Sequence, residues 1–221
     1  AFRLNAVRSF DEGFIRDIDF GGNYTKRTKD KSSVEAKLCL TDCTGGMYGV
    51  TAPFPGSVQN FGFGGIGQLG VFDANDLLNS GTYNLVRNIN ADIAAKNWEI
   101  SEALTTFYVR AGIDTELAGM ALRGNVGVQK VYIDQDSEGY STFEGNPGGE
   151  LVRDGIDYSV TLPSMNLGLE VVPDAFVRLG LSRQMARPRM DQLRAGFDVT
   201  INAENEWGAS GGNPRLRPWL A

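Results

Sequence analysis

Four stretches of this 221-residue chain place chemistry-bearing residue types at spacings that invite a site. Gly62-Phe-Gly64-Gly-Ile-Gly67 spells the glycine pattern by which a strand–turn–helix cradles a pyrophosphate at the helix N-terminus. Its surroundings hold Pro53, Pro55 and more glycine but no strand–helix–strand unit, so it reads as a loop. Gly208-Ala-Ser210-Gly-Gly212 has the form of a nucleophile elbow. The chain contains no histidine, so a Ser-His-acid triad cannot be assembled from it. Asp134-Gln-Asp136-Ser-Glu138-Gly139 resembles the opening of a calcium loop, yet Gly145 stands where the bidentate Glu belongs. It reads as an exposed acidic loop with at most incidental Ca²⁺ binding. Cys39 and Cys43, with three residues between them, fit a small loop disulfide in an oxidising compartment, against the plainer reading of two free thiols.

Composition removes further classes. A net charge of -6 without clustered Lys and Arg argues against a nucleic-acid surface. Absence of His removes most zinc and iron sites, and no catalytic, cofactor-binding or metal-ligating residue is assigned. A carboxylate pair is the enzymatic route left open, and the chain reads as a non-enzyme. No apolar run reaches the length of a membrane-spanning helix, but barrel strands alternate polar and apolar residues and escape that test.

The elements that would position any site are strands, because period-two alternation recurs about six times and helical period is nearly absent. Phe2–Phe10 and Ile18–Thr28 flank the turn Asp11-Glu-Gly13, with Ile18, Phe20 and Tyr24 opposing Asp17, Asp19 and Asn23. The acceptor form Asn23-Tyr-Thr25 lies inside this strand and is discounted for glycosylation. Ala103–Ile113 and Met120–Tyr132 flank Asp114–Leu117. There Met120, Leu122, Val126, Val128 and Tyr132 share one face and Arg123, Asn125 and Gln129 the other. Met165–Val171 and Val177–Met185 flank Pro173-Asp174, with Asn166 and Arg178 on the polar side. Long connections cover residues 30–101, 137–156 and 187 to the end.

Short turns alternating with long loops match the plan of an outer-membrane barrel, with tight periplasmic turns and long extracellular loops. A soluble secreted β-sandwich for binding or adhesion shares the alternation, because its apolar face points to a core instead of lipid. Phe10 and Phe14 at the short-turn ends, and Tyr24, Tyr132 and Tyr158 near the long-loop ends, are placed like two interfacial girdles.

The last third carries Leu162-Pro-Ser-Met-Asn-Leu-Gly-Leu169, Val177-Arg-Leu-Gly-Leu-Ser-Arg-Gln-Met185, Ala186-Arg-Pro188 and Asp191-Gln-Leu193. It closes on Gly212-Asn-Pro-Arg-Leu-Arg-Pro218. With Ala111-Gly-Ile-Asp114, Arg123-Gly-Asn-Val-Gly-Val128 and Asp17-Ile-Asp-Phe-Gly-Gly-Asn-Tyr24, these segments in this order resemble the barrel of TonB-dependent receptors. The resemblance spans most of the chain apart from residues 32–100. It implies an all-β, antiparallel up-and-down transmembrane barrel of about 22 strands in the whole receptor, its lumen closed by an N-terminal plug. It further implies bacterial outer-membrane localisation and import of a scarce nutrient, a carbohydrate or a metal chelate. Energy would be relayed from the TonB complex through that plug. The style of the Ala186-Arg-Pro188 to Pro218 region is closer to carbohydrate-type receptors.

Residues 1–221 therefore read as one partial barrel domain of six strands and three hairpins, with plug and remaining strands absent. The strand-like start at Phe2 and the Pro-rich end are expected to be cut edges, though a processed soluble protein would look alike. Arg123, Asn125, Gln129, Asn166 and Arg178 are expected to line the lumen, and lipid to meet the opposite face. Tyr140, Phe143 and Trp207 are the loop aromatics that would stack on a small ligand or else pack within the loops.

Overall fold

The computed structural model describes residues 1–40, 56–81, 83–88, 90–143 and 148–221. The first half of the chain forms β1 (Phe2–Ser9), β2 (Ile15–Lys31), β3 (Ala36–Leu40), β4 (Ser57–Phe61), β5 (Gly67–Val71), α1 (Ala74–Asn79), β6 (Tyr83–Arg87) and α2 (Ala91–Ala94). Then come β7 (Trp98–Leu117), β8 (Met120–Phe143), β9 (Glu150–Val172) and β10 (Ala175–Ser182). The last segment holds β11 (Met185–Ala186), a 3-10 helix (Met190–Leu193), β12 (Phe197–Ile201), β13 (Trp207–Gly211) and β14 (Trp219–Leu220).

Six long strands pair in chain order, β1-β2-β7-β8-β9-β10, every contact antiparallel. The expected six strands and three hairpins are present as an up-and-down sheet. No closed barrel forms among the described residues, whose pairings leave β1 and β10 as edges of the meander.

Two of the three turns lie where turn chemistry placed them, between β1 and β2 and at Pro173-Asp174, where Asp174 has φ 63°. The third is displaced. Asp114 is paired with Arg123, and the strands continue to Leu117 opposite Met120, so the turn is Ala118-Gly119. Both residues are left-handed, φ 53° and 76°, which suits the right-handed twist of a two-residue hairpin.

The three long connections are shorter or more ordered than alternation implied. β8 runs to Phe143 and β9 starts at Glu150, so most of 137–156 is paired strand. Asp134–Gly139 is therefore strand and not an acidic loop. Residues 30–101 include the β3–β6 and β4–β5 ladders and two short helices. The glycine-rich stretch at 62–67 is the β4–β5 turn, with Gly64, Gly65 and Gly67 at positive φ.

The segment after β10 also folds. Met185 belongs to β11, not to the hairpin strand, and β11 pairs with β14 so that the ends of the segment meet. Between them β12 and β13 form a hairpin, and β12 runs parallel to the end of β8, Asp198 against Thr142.

Candidate functional site

Register decides which side chains share a face, because directly paired residues point the same way. One face of the six strands carries Phe2 and Leu4, then Phe20 and Tyr24, then Phe107 and Val109, then Val128 and Tyr132. Met165, Leu167 and Leu169 continue it onto β9, and Val177, Leu179 and Leu181 onto β10. Many of these large apolar groups are exposed, Leu4 at 68% and Leu181 at 58%. Phe107 and Tyr132 meet edge-to-face at 6.4 Å. Lys130, within this face, turns its ammonium toward the Tyr132 ring at 5.9 Å and to the Thr161 hydroxyl at 3.2 Å.

Above the Tyr24–Tyr132 row the same face becomes charged, with Lys26, Asp134 and Asp157 in register, then Glu99, Glu138 and Arg153 two rows further on. From Leu122 to Tyr132 the strand rises about 33 Å at roughly 3.3 Å per residue. The apolar zone is thus a band with a sharp upper limit.

The opposite face is polar below that row. All five expected lumen residues lie on it. Asn125 is paired with Asn166, and Arg123 and Arg178 flank Gly168 from either side. These four line one groove of about 600 Å³. Gln129 lies in a neighbouring groove of about 370 Å³ with Arg3, Asn23, Tyr108 and Ser164. Asp17, buried, accepts from Arg16 at 2.8 Å and from Arg110 at 3.1 Å, and the Tyr108 hydroxyl donates to Asp19 at 3.0 Å. Gly112 makes room for the first of these, since a Cβ there would lie 2.4 Å from the Asp17 carboxylate.

Above the row this second face turns apolar and is covered. Leu104, Val131, Ile133 and Val160 form one buried cluster, against which Tyr158 and Met185 pack. Trp98, Ile100 and Leu193 form another with Met190 and Leu216. Tyr158 is therefore not part of an outward girdle with Tyr24 and Tyr132.

Sequence reading did not single out the polar groups embedded here. Glu102, fully buried, receives Arg27 at 2.5 Å and also Arg187 from the last segment. Gln135, equally buried, donates to the carbonyls of Pro214 and Leu216. A signal existed: Glu102 shares its strand face with Ile100 and Leu104, a lone charge between apolar neighbours. Nearer the rim Arg215 grips Asp154 through two nitrogens at 2.8–3.0 Å. The hydrogen bonds from Arg215 hold the Asp154 carboxyl below its ordinary range, outweighing partial burial.

The expected ligand aromatics are not gathered on one loop. Tyr140 and Phe143 are on β8, and Trp207 begins β13 opposite Ile201. Cys39 lies in β3 opposite Asn84, and Cys43 falls outside the described residues. Among the described residues no cluster of His, Cys, Asp and Glu is arranged to hold a metal, and no helix is long and apolar enough to cross a membrane. Comparison with protein-family models, curated proteins and solved structures finds no match.

Proposed function

We propose that this chain forms part of the wall of an outer-membrane β-barrel receptor that imports a small nutrient, a carbohydrate or a metal chelate. The observation that carries the reading is the exposed apolar band, backed by a polar face and ended by tyrosines. At a strand tilt near 40°, about 33 Å of strand projects to about 25 Å, the height of the lipid-facing band of such barrels. Six strands about 4.8 Å apart make the band roughly 900 Å² in area, well above the patch of about 300–600 Å² typical of soluble monomers. In a secreted sandwich the same residues would lie under a second sheet, and their exposure speaks against that reading. Active import and its coupling to the TonB complex rest on the sequence resemblance, as does the nutrient class. In this reading β1 and β10 pair with further strands, since an unpaired edge is not tolerated in hydrocarbon.

The test is lipid contact. In the full-length polypeptide reconstituted with lipids brominated on their acyl chains, Val109→Trp fluorescence is expected to be quenched strongly and Asn125→Trp fluorescence weakly. Equal quenching at the two positions would sink the reading. So would recovery of residues 1–221 as a monodisperse species in buffer without detergent.

A further inference from the structure

Residues 185–221 cover the upper half of the polar-side face, and the way they are fastened there is uneven. One set of contacts is apolar: Leu193 is fully buried against Trp98 and Ile100, and Met185 packs against the cluster of Leu104, Val131, Ile133 and Val160. A second set is polar and lies on three adjacent strands. Arg27 of β2, Glu102 of β7 and Gln135 of β8 are in direct register. Arg187 reaches Glu102, and Gln135 holds the Pro214 and Leu216 carbonyls. Both the descending and the returning arm of the segment are thereby tied to one row of the wall.

That row is incompletely satisfied. Arg27 Nη2, Glu102 Oε1, Gln135 Oε1 and the Tyr158 hydroxyl find no partner among the described residues, although all four atoms are buried. An unsatisfied buried polar group is destabilising, because it has given up its water without a replacement partner. The docked arrangement therefore carries a local penalty where its ionic contact is made. Release of Arg187 leaves Glu102 paired with Arg27, so this contact can open without stranding the buried carboxylate.

We propose that residues 185–221 are a displaceable strap over the polar face, latched where Arg187 meets Glu102, and that unlatching opens this face from the long-loop end. Resting on the barrel-wall reading, this assigns that face a gate. In the latched state the strap covers Leu104, Val131 and Ile133, leaving the lower grooves around Asn125 and Gln129 uncovered. In the released state Glu102, Gln135 and Tyr158 are uncovered on the same face as those grooves, beyond the apolar belt of Leu104, Val131, Ile133 and Val160.

The experiment reads strap opening at Ala195, whose amide donates to the Ser137 hydroxyl at 2.9 Å under the strap. Ala195→Cys is introduced into the full-length polypeptide in membrane vesicles and labelled with a charged maleimide, the unsubstituted protein serving as background. Labelling is expected to be slow alone and faster by at least about tenfold when combined with Arg187→Met or with the isosteric Glu102→Gln. Combination with Asp154→Asn, at the exposed Arg215 contact, is expected to change it by less than about threefold. Unchanged labelling with either latch substitution overturns the proposal. Should both variants fail to fold, hydrogen exchange of the unsubstituted protein decides: Ala195 and Leu216 amides are expected to exchange before those of β7 and β8. Exchange of strap and strands in one step overturns it. If the polypeptide instead fractionates without lipid, the wall reading fails while the labelling ratio still judges the latch.

Discussion

Val109 and Val128 stand directly opposite one another on β7 and β8, and both remain substantially exposed, at 44% and 37%. A cross-strand pair of β-branched residues stabilises the ladder by a few tenths of a kcal/mol up to about 1 kcal/mol. That contribution does not explain why the same row continues as Phe20 on one side and Pro163 on the other. In the proposed barrel wall this row would face hydrocarbon, where such a continuation is expected. Val109→Arg, near the middle of the band, is expected to destabilise the lipid-embedded protein by about 2–4 kcal/mol. Ala103→Arg, in the charged row above Tyr24, is expected to cost no more than about 1 kcal/mol. Denaturant titration from vesicles separates the two, and equal costs would remove the support for a depth-dependent environment.

Ala118 occupies a left-handed conformation that a Cβ disfavours, and Gly119 follows it in the same region. Asn tolerates this geometry and Asn-Gly is the favoured pair for such a turn. Ala118→Asn is therefore expected to stabilise the β7–β8 hairpin by about 0.5–1 kcal/mol. Gly119→Val is expected to destabilise it by about 1–2 kcal/mol, because a β-branched residue must take φ 76°. Thermal melts of the two variants should move in opposite directions. A shift of the same sign would mean that the turn is not built as described.

The lower strands were legible because one rule held along them, apolar on one face and polar on the other. The upper ends were not, because the rule inverts at Tyr132. Below it Val126 and Val128 lie on the first face and Asn125 and Gln129 on the second. Above it Asp134, Asp136 and Glu138 lie on the first face while Ile133, Gln135 and Ser137 are buried on the second. An inversion of phase looks like the end of a strand, which is why residues 137–156 read as loop. The five polar-face residues lay in the regular zone and share one face as expected. Glu102 and Arg187 were hidden because they meet across 85 positions of sequence through a segment with no period of its own.

Gly196 shows how tightly that segment approaches the wall. A Cβ there would lie 2.4 Å from the Tyr140 carbonyl oxygen, and a Cβ on Gly139 would lie 2.9 Å from the Gly196 nitrogen. Since the obstructing atoms are backbone, the segment must shift to admit a methyl group. Gly196→Ala is expected to lose about 1–3 kcal/mol of docking stability and to raise proteolysis within residues 187–218. Gly212→Ala, whose nearest obstructions belong to the segment itself at Arg194 and Gln192, should distort the segment without the same loss of wall contact. Equal sensitivity of the two to protease would contradict the tight approach at Gly196.

Asp154 and Arg215 supply a pH signature for the same docking. The Asp154 pKa is lowered from its ordinary 3.8, first by the Arg215 hydrogen bonds, so the docked state binds its proton less readily than the undocked one. The contribution is then fully present above the ordinary value. It is lost as pH falls through the lowered value and Asp154 becomes neutral. Docking, read by exchange of the Leu216 amide, is expected to be flat from pH 7 to about 5 and to weaken below about 4. The contact is exposed and screened, so salt should reduce the effect. Asp154→Asn should abolish this step while leaving the plateau slightly lower. If the variant shows the same acid-induced step as the unsubstituted protein, another carboxylate governs it and the Arg215 contact is not the titrating link.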